Sequence, residues 1–134
     1  MATEIQSERL LSAIRSLPVF RGLSPEDQRR LAVLATLKDY QRGDSIWREG
    51  DPAEFLTLIV RGRVKVVRHA ESGDVILEIF GEGEPVGAIA VYNYMPYPAS
   101  AICLEPTTLV LLPRRDYFEL LDRHPDFARA VIRE

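Results

Sequence analysis

The feature that most restricts this chain begins at Thr36, where apolar residues start to recur at a period of two in short runs. The runs are Leu37–Gln41, Ser45–Arg48, Phe55–Val60, Val64–Arg68, Val75–Phe80, Ser100–Leu104 and Thr108–Leu112. Turn residues separate them: Arg42-Gly43-Asp44, Glu49-Gly50-Asp51-Pro52, Arg61-Gly62-Arg63, Ala70–Asp74, Gly81–Pro85 and Glu105-Pro106. Many short strands at regular spacing with glycine-bearing turns predict an antiparallel sandwich or barrel. Val64-Lys65-Val66 and Leu77-Glu78-Ile79 alternate as half-buried strands do. Leu56–Val60 and Leu109–Leu112 do not alternate, so both of their faces are expected to be covered.

Helices flank this β region, so the fold class is mainly β with flanking helices. Ile5, Leu10, Leu11 and Ile14 fall near helical spacing, and that helix ends before Pro18. Ser24-Pro25-Glu26-Asp27 is a helix start: a capping serine, a proline in the first turn and acids at the positive end of the dipole. Leu31, Leu34 and Ala35 supply its apolar stripe. After Leu112, Tyr117, Leu120 and Leu121 mark one further helix, and Pro125 opens another with Phe127 and Val131. Residues 1–134 form one domain, with N-terminal helices over 1–35, the β region over 36–112 and the start of C-terminal helices over 113–134.

The segment Phe80–Glu105 carries the candidate site. Gly81, Gly83 and Gly87 break the chain, and Gly87-Ala88-Ile89-Ala90-Val91 predicts one or two helical turns between strands. The first N–H groups of such a helix converge on one spot that suits an anion or small polar ligand; the plain alternative is a decorated loop. The net charge of −3 argues against this chain itself gripping DNA or an anionic membrane. No apolar run approaches the roughly 20 residues of a bilayer span. Met1-Ala2-Thr3-Glu4 carries acid where a signal peptide needs basic charge, so a cytoplasmic location is expected. The lone cysteine, Cys103, excludes an internal disulfide and sits in an apolar pattern expected to bury an inert thiol. Only His69 and His124 are available as imidazole ligands, and they do not form a cluster, so neither a metal site nor an enzyme is expected. No catalytic residue is assigned. Glu49, Asp51 and Glu54 are expected to serve as turn acceptors.

The mid-chain turns carry a resemblance. Gly43-Asp44-Ser45-Ile46-Trp47-Arg48-Glu49-Gly50-Asp51-Pro52-Ala53-Glu54-Phe55-Leu56 resembles the opening motif of cyclic-nucleotide-binding domains, and Ile59-Val60-Arg61-Gly62-Arg63-Val64-Lys65-Val66 the strand–glycine–strand that follows it. Leu17-Pro18-Val19-Phe20 with Leu23-Ser24, Tyr97-Pro98-Ala99-Ser100-Ala101 and Leu112-Pro113-Arg114-Arg115-Asp116 resemble the Crp/Fnr bacterial transcription regulators more than kinases or channels. The resemblance implies an antiparallel β jelly roll (a double-stranded β-helix) with a phosphate-binding cassette. It implies an effector-sensing domain of a DNA-binding regulator, a homodimer through the C-terminal helix, and DNA contact through a downstream domain absent from this chain. A stand-alone interaction or dimerisation module is the alternative. Effector binding in this family shifts the cassette and C-terminal helices, here Gly87–Val91 and Tyr117–Arg133.

Gly87, Ala88, Ile89, Pro98, Ala99 and Ser100 are the ligand-binding residues the resemblance points to. The family places a glutamate after the cassette glycine, for the ribose, and an arginine near the cassette end, for the cyclic phosphate. Here those positions are Ala88 and Pro98. Alanine offers no acceptor, and proline offers neither charge nor N–H. Losing two charge-assisted hydrogen bonds costs about 3–6 kcal/mol, or ~10²–10⁴ in affinity. Cyclic AMP and cyclic GMP are therefore not expected to bind in the usual way, and any effector is an unknown small molecule. Arg114 and Arg115, at a helix start, are expected to face solvent or a carboxylate. Tyr92, Tyr94, Met95 and Tyr97 either line a pocket for a flatter, less charged effector or pack the loop shut.

Overall fold

The computed structural model describes residues 2–132. Met1, Arg133 and Glu134 lie outside the described residues, so part of the acidic N-terminus and the end of Tyr117–Arg133 are not placed.

Eight strands divide between two four-stranded sheets. They are β1 (Thr36–Tyr40), β2 (Ser45–Trp47), β3 (Phe55–Arg61), β4 (Val64–Ala70), β5 (Gly73–Phe80), β6 (Pro85–Val86), β7 (Ser100–Cys103) and β8 (Thr107–Pro113). One sheet has the order β1-β8-β3-β6 and the other β2-β7-β4-β5, with every pairing antiparallel. This is the jelly roll that the resemblance implies. The central pair β3 and β8 is registered Leu56 opposite Leu112 and Leu58 opposite Val110, and all four side chains are buried. Their non-alternating sequences follow from cover on both faces.

Gly43, Gly50 and Gly62 have φ of 88°, 91° and 105°, in the left-handed region that favours glycine. At Gly62 the requirement is steric as well, because a Cβ there would sit 2.7 Å from the Thr107 Cα.

The flanks are helical. Helix α1 (Ala2–Ser16) buries Leu10, Ala13 and Ile14, whereas Ile5 is exposed. After a short 3₁₀ turn at Pro18–Phe20, α2 (Pro25–Leu34) starts as expected: the Ser24 hydroxyl accepts from the Asp27 N–H at 3.1 Å. Leu31 anchors this helix in the core, but Leu34 is exposed and Ala35 lies past its end. A five-residue helix, α3 (Ala88–Tyr92), joins β6 to the loop before β7. Helices α4 (Arg114–Arg123) and α5 (Pro125–Ile132) close the described chain, with Phe127 stacked on Phe20 at 5.7 Å. That stack ties the last helix back to the N-terminal segment.

Two features differ from the sequence reading. Strand β6 lies within Gly81–Pro85 and its neighbour, a stretch assigned to a turn. Its two residues pair with Thr57 and Leu58, too short a run for periodicity to register. Strand β5 does not bury one face. Val75, Ile76, Leu77 and Ile79 are each about half exposed, and β5 ends its sheet, paired to β4 alone.

Candidate functional site

The cassette is built on a backbone turn that only glycine makes easily. Gly87 caps α3 with φ 71° and ψ 18°. A Cβ at Gly87 would stand 2.8 Å from Tyr97 Cε1 and 3.1 Å from two Trp47 ring carbons. Trp47 and Tyr97 are both buried and stack face to face beneath it. The Trp47 indole N–H donates to the Ala99 carbonyl at 3.0 Å. Burial pushes the Tyr97 phenol up to about 12, with the Thr57 hydroxyl and Arg114 pulling slightly the other way.

The structure separates the expected ligand residues into two groups. Gly87, Ala88 and Ile89 line a half-open groove of about 1030 Å³. Pro98, Ala99 and Ser100 do not. Pro98 is exposed, Ala99 is buried with its carbonyl occupied by Trp47, and the buried Ser100 hydroxyl accepts from the Glu49 N–H at 2.9 Å. The tyrosines divide likewise. Tyr97 packs inward, whereas Tyr94 and Met95 are exposed and Tyr92, also exposed, borders the groove.

The other groove walls come from elements the sequence did not join to the cassette. Tyr117, Phe118, Leu121 and Asp122 come from α4, Ala128 and Val131 from α5, and Glu78 and Phe80 from β5. Phe118 meets the Tyr92 ring edge-on at 5.7 Å, so the walls support each other. Burial, with a smaller contribution from Tyr92, raises the Tyr117 phenol.

Arg114 corrects an expectation. It faces neither solvent alone nor a carboxylate. Its Nε donates to the Val91 carbonyl at 3.0 Å and Nη2 donates to the Ala53 carbonyl. Its guanidinium lies 4.2 Å from the centre of the Tyr94 ring. The backbone N–H of Arg114 also donates to Glu54 O at 3.0 Å. One side chain thus joins the end of α3, the loop before β3 and the start of α4. Tyr94, with φ 55°, is the one non-glycine residue with positive φ among the described residues. No local sequence signal marks this junction, because both carbonyls lie more than 20 residues away from Arg114.

The remaining polar groups lie apart from the groove. Asp51 caps its own turn by accepting from the Arg48 N–H at 2.9 Å. His69 is exposed and pairs with Asp74 at 2.5 Å; His124 Nε2 lies 3.8 Å from Asp27. Among the described residues no group of three or more His, Cys, Asp or Glu side chains is placed to hold a metal ion. Cys103 is buried, and burial raises its thiol.

A jelly roll carrying a glycine-capped short helix between β6 and β7 defines a class, and comparison with known proteins gives the same one. The family model for the cyclic nucleotide-binding domain matches residues 37–124, and the chain belongs to that family. It is 31% identical over 113 residues to the "Cyclic AMP receptor protein" of Thermus thermophilus, covering 84% of this chain and 52% of that one. It is 25% identical over 116 residues to the "CRP-like cAMP-activated global transcriptional regulator" of Mycobacterium tuberculosis, covering 86% and 52%. Among solved structures, the sensor domain of the transcriptional regulator DNR from Pseudomonas aeruginosa superposes with a TM-score of 0.77. That match has 24% identity and covers 94% of this chain and 85% of that one, and it supports the fold. The chain spans about half the length of the curated relatives it matches. No described helix is long and apolar enough to cross a membrane.

Proposed function

We propose that this chain is the effector-sensing domain of a Crp/Fnr-type DNA-binding transcription regulator. It acts in the cytoplasm and performs no catalysis. The full-length protein dimerises through its C-terminal helix and contacts DNA through a domain downstream of residue 134. Its pocket does not take cyclic AMP or cyclic GMP in the usual way. By the family resemblance Ala88 and Pro98 fall where a glutamate and an arginine would hold the ribose and the cyclic phosphate, and the observation that carries this reading is that these two positions are alanine and proline. Supporting it, the neighbouring polar groups of Ala99 and Ser100 are already hydrogen-bonded inside the protein.

The groove makes an allosteric mechanism workable. Its walls include both the cassette and the two C-terminal helices, so a ligand there contacts both parts at once. An effector with different affinity for two arrangements of α3 against α4 and α5 would shift the balance between them. Calorimetric titration of the full-length protein with cyclic AMP and cyclic GMP tests the reading. No heat up to millimolar nucleotide is expected, and micromolar binding of either would overturn it.

The half-exposed apolar edge of β5 supports a second reading, an interaction or dimerisation module that binds no DNA. Sequencing the native gene past codon 134 separates the two, since only the regulator requires a DNA-binding helix pair there.

A further inference from the structure

The groove's charge specifies more than its shape. Its volume of about 1030 Å³ lies just above the roughly 300–1000 Å³ of ligand pockets, enough for a sizeable apolar body. Phe80, Tyr92, Tyr117 and Phe118 give it aromatic walls, and Leu121 and Val131 give it aliphatic ones. Two of its described lining residues carry formal charge, Glu78 and Asp122, and both are acidic. Neither forms an ion pair with a described residue, in contrast to Glu119, which pairs with Arg123, and Asp126, which pairs with Arg129. Arg114, the cation at the start of α4, is engaged by the Val91 and Ala53 carbonyls and the Tyr94 ring.

We propose that this groove binds a small apolar cation, a flat hydrophobic body bearing a protonated nitrogen. The body lies among Phe80, Tyr117 and Phe118, and the nitrogen faces the carboxylates of Glu78 and Asp122. Aromatic walls favour such a ligand twice, through apolar burial and through attraction of the cation to ring faces. An anion entering the same space meets two like charges and no described counter-charge, which disfavours a cyclic phosphate independently of Ala88 and Pro98. The inference rests on reading the chain as a sensor of a non-nucleotide effector and names the chemical class of that effector.

Three probes that share one ring system and differ in charge test it on this protein: naphthylmethylamine, naphthylmethanol and naphthoate. Amide NMR shifts should change around Gly87–Tyr92 and Tyr117–Asp122. The amine should bind at least about tenfold more tightly than the carboxylate, with the alcohol between, as two screened carboxylates predict. In the double variant Glu78→Gln, Asp122→Asn the amine should lose this advantage while the alcohol binds as before, which also shows that the groove is intact. Naphthoate binding as tightly as the amine, an amine no tighter than the alcohol, or no shift with any probe would overturn the inference. So would a groove closed by a second copy of the chain, seen as a dimer by sedimentation that excludes all three. Displacement of the amine by micromolar cyclic AMP would instead overturn the nucleotide exclusion, leaving the amine preference to be judged by its own comparison.

Discussion

Trp47 and Tyr97 stack with their ring centroids 3.7 Å apart and their planes 5° from parallel, and Gly87 rests against both. One residue comes from the opening motif and the other from the end of the cassette, 50 positions later. The stack fixes the floor on which the cassette turns.

Gly87→Ala tests that floor. The added methyl meets the Tyr97 ring at 2.8 Å, and an alanine must hold φ at 71°. The left-handed backbone costs about 1–2 kcal/mol and the overpacking about 1–3 kcal/mol. Urea unfolding should show a lower midpoint with an unchanged slope, a loss of about 2–5 kcal/mol. A loss below about 0.5 kcal/mol would mean that the ring stack lies elsewhere.

The Tyr97 phenol gives a pH dependence with a definite sign. Its folded value of about 12 lies above the ordinary 10. A group raised on folding contributes stability that is complete below its unfolded value and is lost as pH climbs towards the folded one. The wild-type protein should therefore lose stability between pH 10 and about 12. Tyr97→Phe has no phenol at that position to ionise. The stability difference between wild type and Tyr97→Phe should shift towards the variant across that window, measured by denaturant unfolding at each pH. A difference constant with pH would show that the phenol titrates normally.

Arg114 should act as a pin between the cassette and α4. Lys in its place keeps the charge but loses the planar fork that reaches two carbonyls and lies on Tyr94. Arg114→Lys should cost about 1–3 kcal/mol. It should also speed hydrogen exchange at the Tyr94 and Met95 amides, which are bonded to Val91 and Ala90 carbonyls, while leaving the β3 and β8 amides protected. Uniform exchange across the chain would assign Arg114 no special part in holding the cassette.

What could be read in advance follows from how local each signal is. The turns at Gly43, Gly50 and Gly62 were legible because a positive φ marks the residue itself. The buried strands β3 and β8 were legible from apolar runs that do not alternate. The exposure of β5 was not: Leu77-Glu78-Ile79 alternates like a covered strand, and alternation says nothing about whether a cover exists. In the site, Gly87, Ala88 and Ile89 stood out through the family motif. Tyr117 and Leu121 showed only as part of a helix and Phe118 and Asp122 not at all, because their meeting with α3 is a tertiary event. Arg114 was misread because a helix start favours solvent on average, and the carbonyls it serves are distant in sequence.

Ser100 separates a supporting hydroxyl from a ligand contact. Its Oγ is buried and accepts from the Glu49 N–H at 2.9 Å, and it does not line the groove. Ser100→Ala leaves that part-buried N–H without its acceptor, which costs about 1–2 kcal/mol within the range for an unsatisfied group. Thermal unfolding should reveal that loss, while naphthylmethylamine affinity stays within about twofold of wild type. A variant of unchanged stability that binds the amine at least tenfold more weakly would reverse the assignment and place the hydroxyl against the effector. The result bears on the whole cassette, because Ala99 and Ser100 directly follow Pro98 and their polar groups are bonded to Trp47 and Glu49 inside the protein.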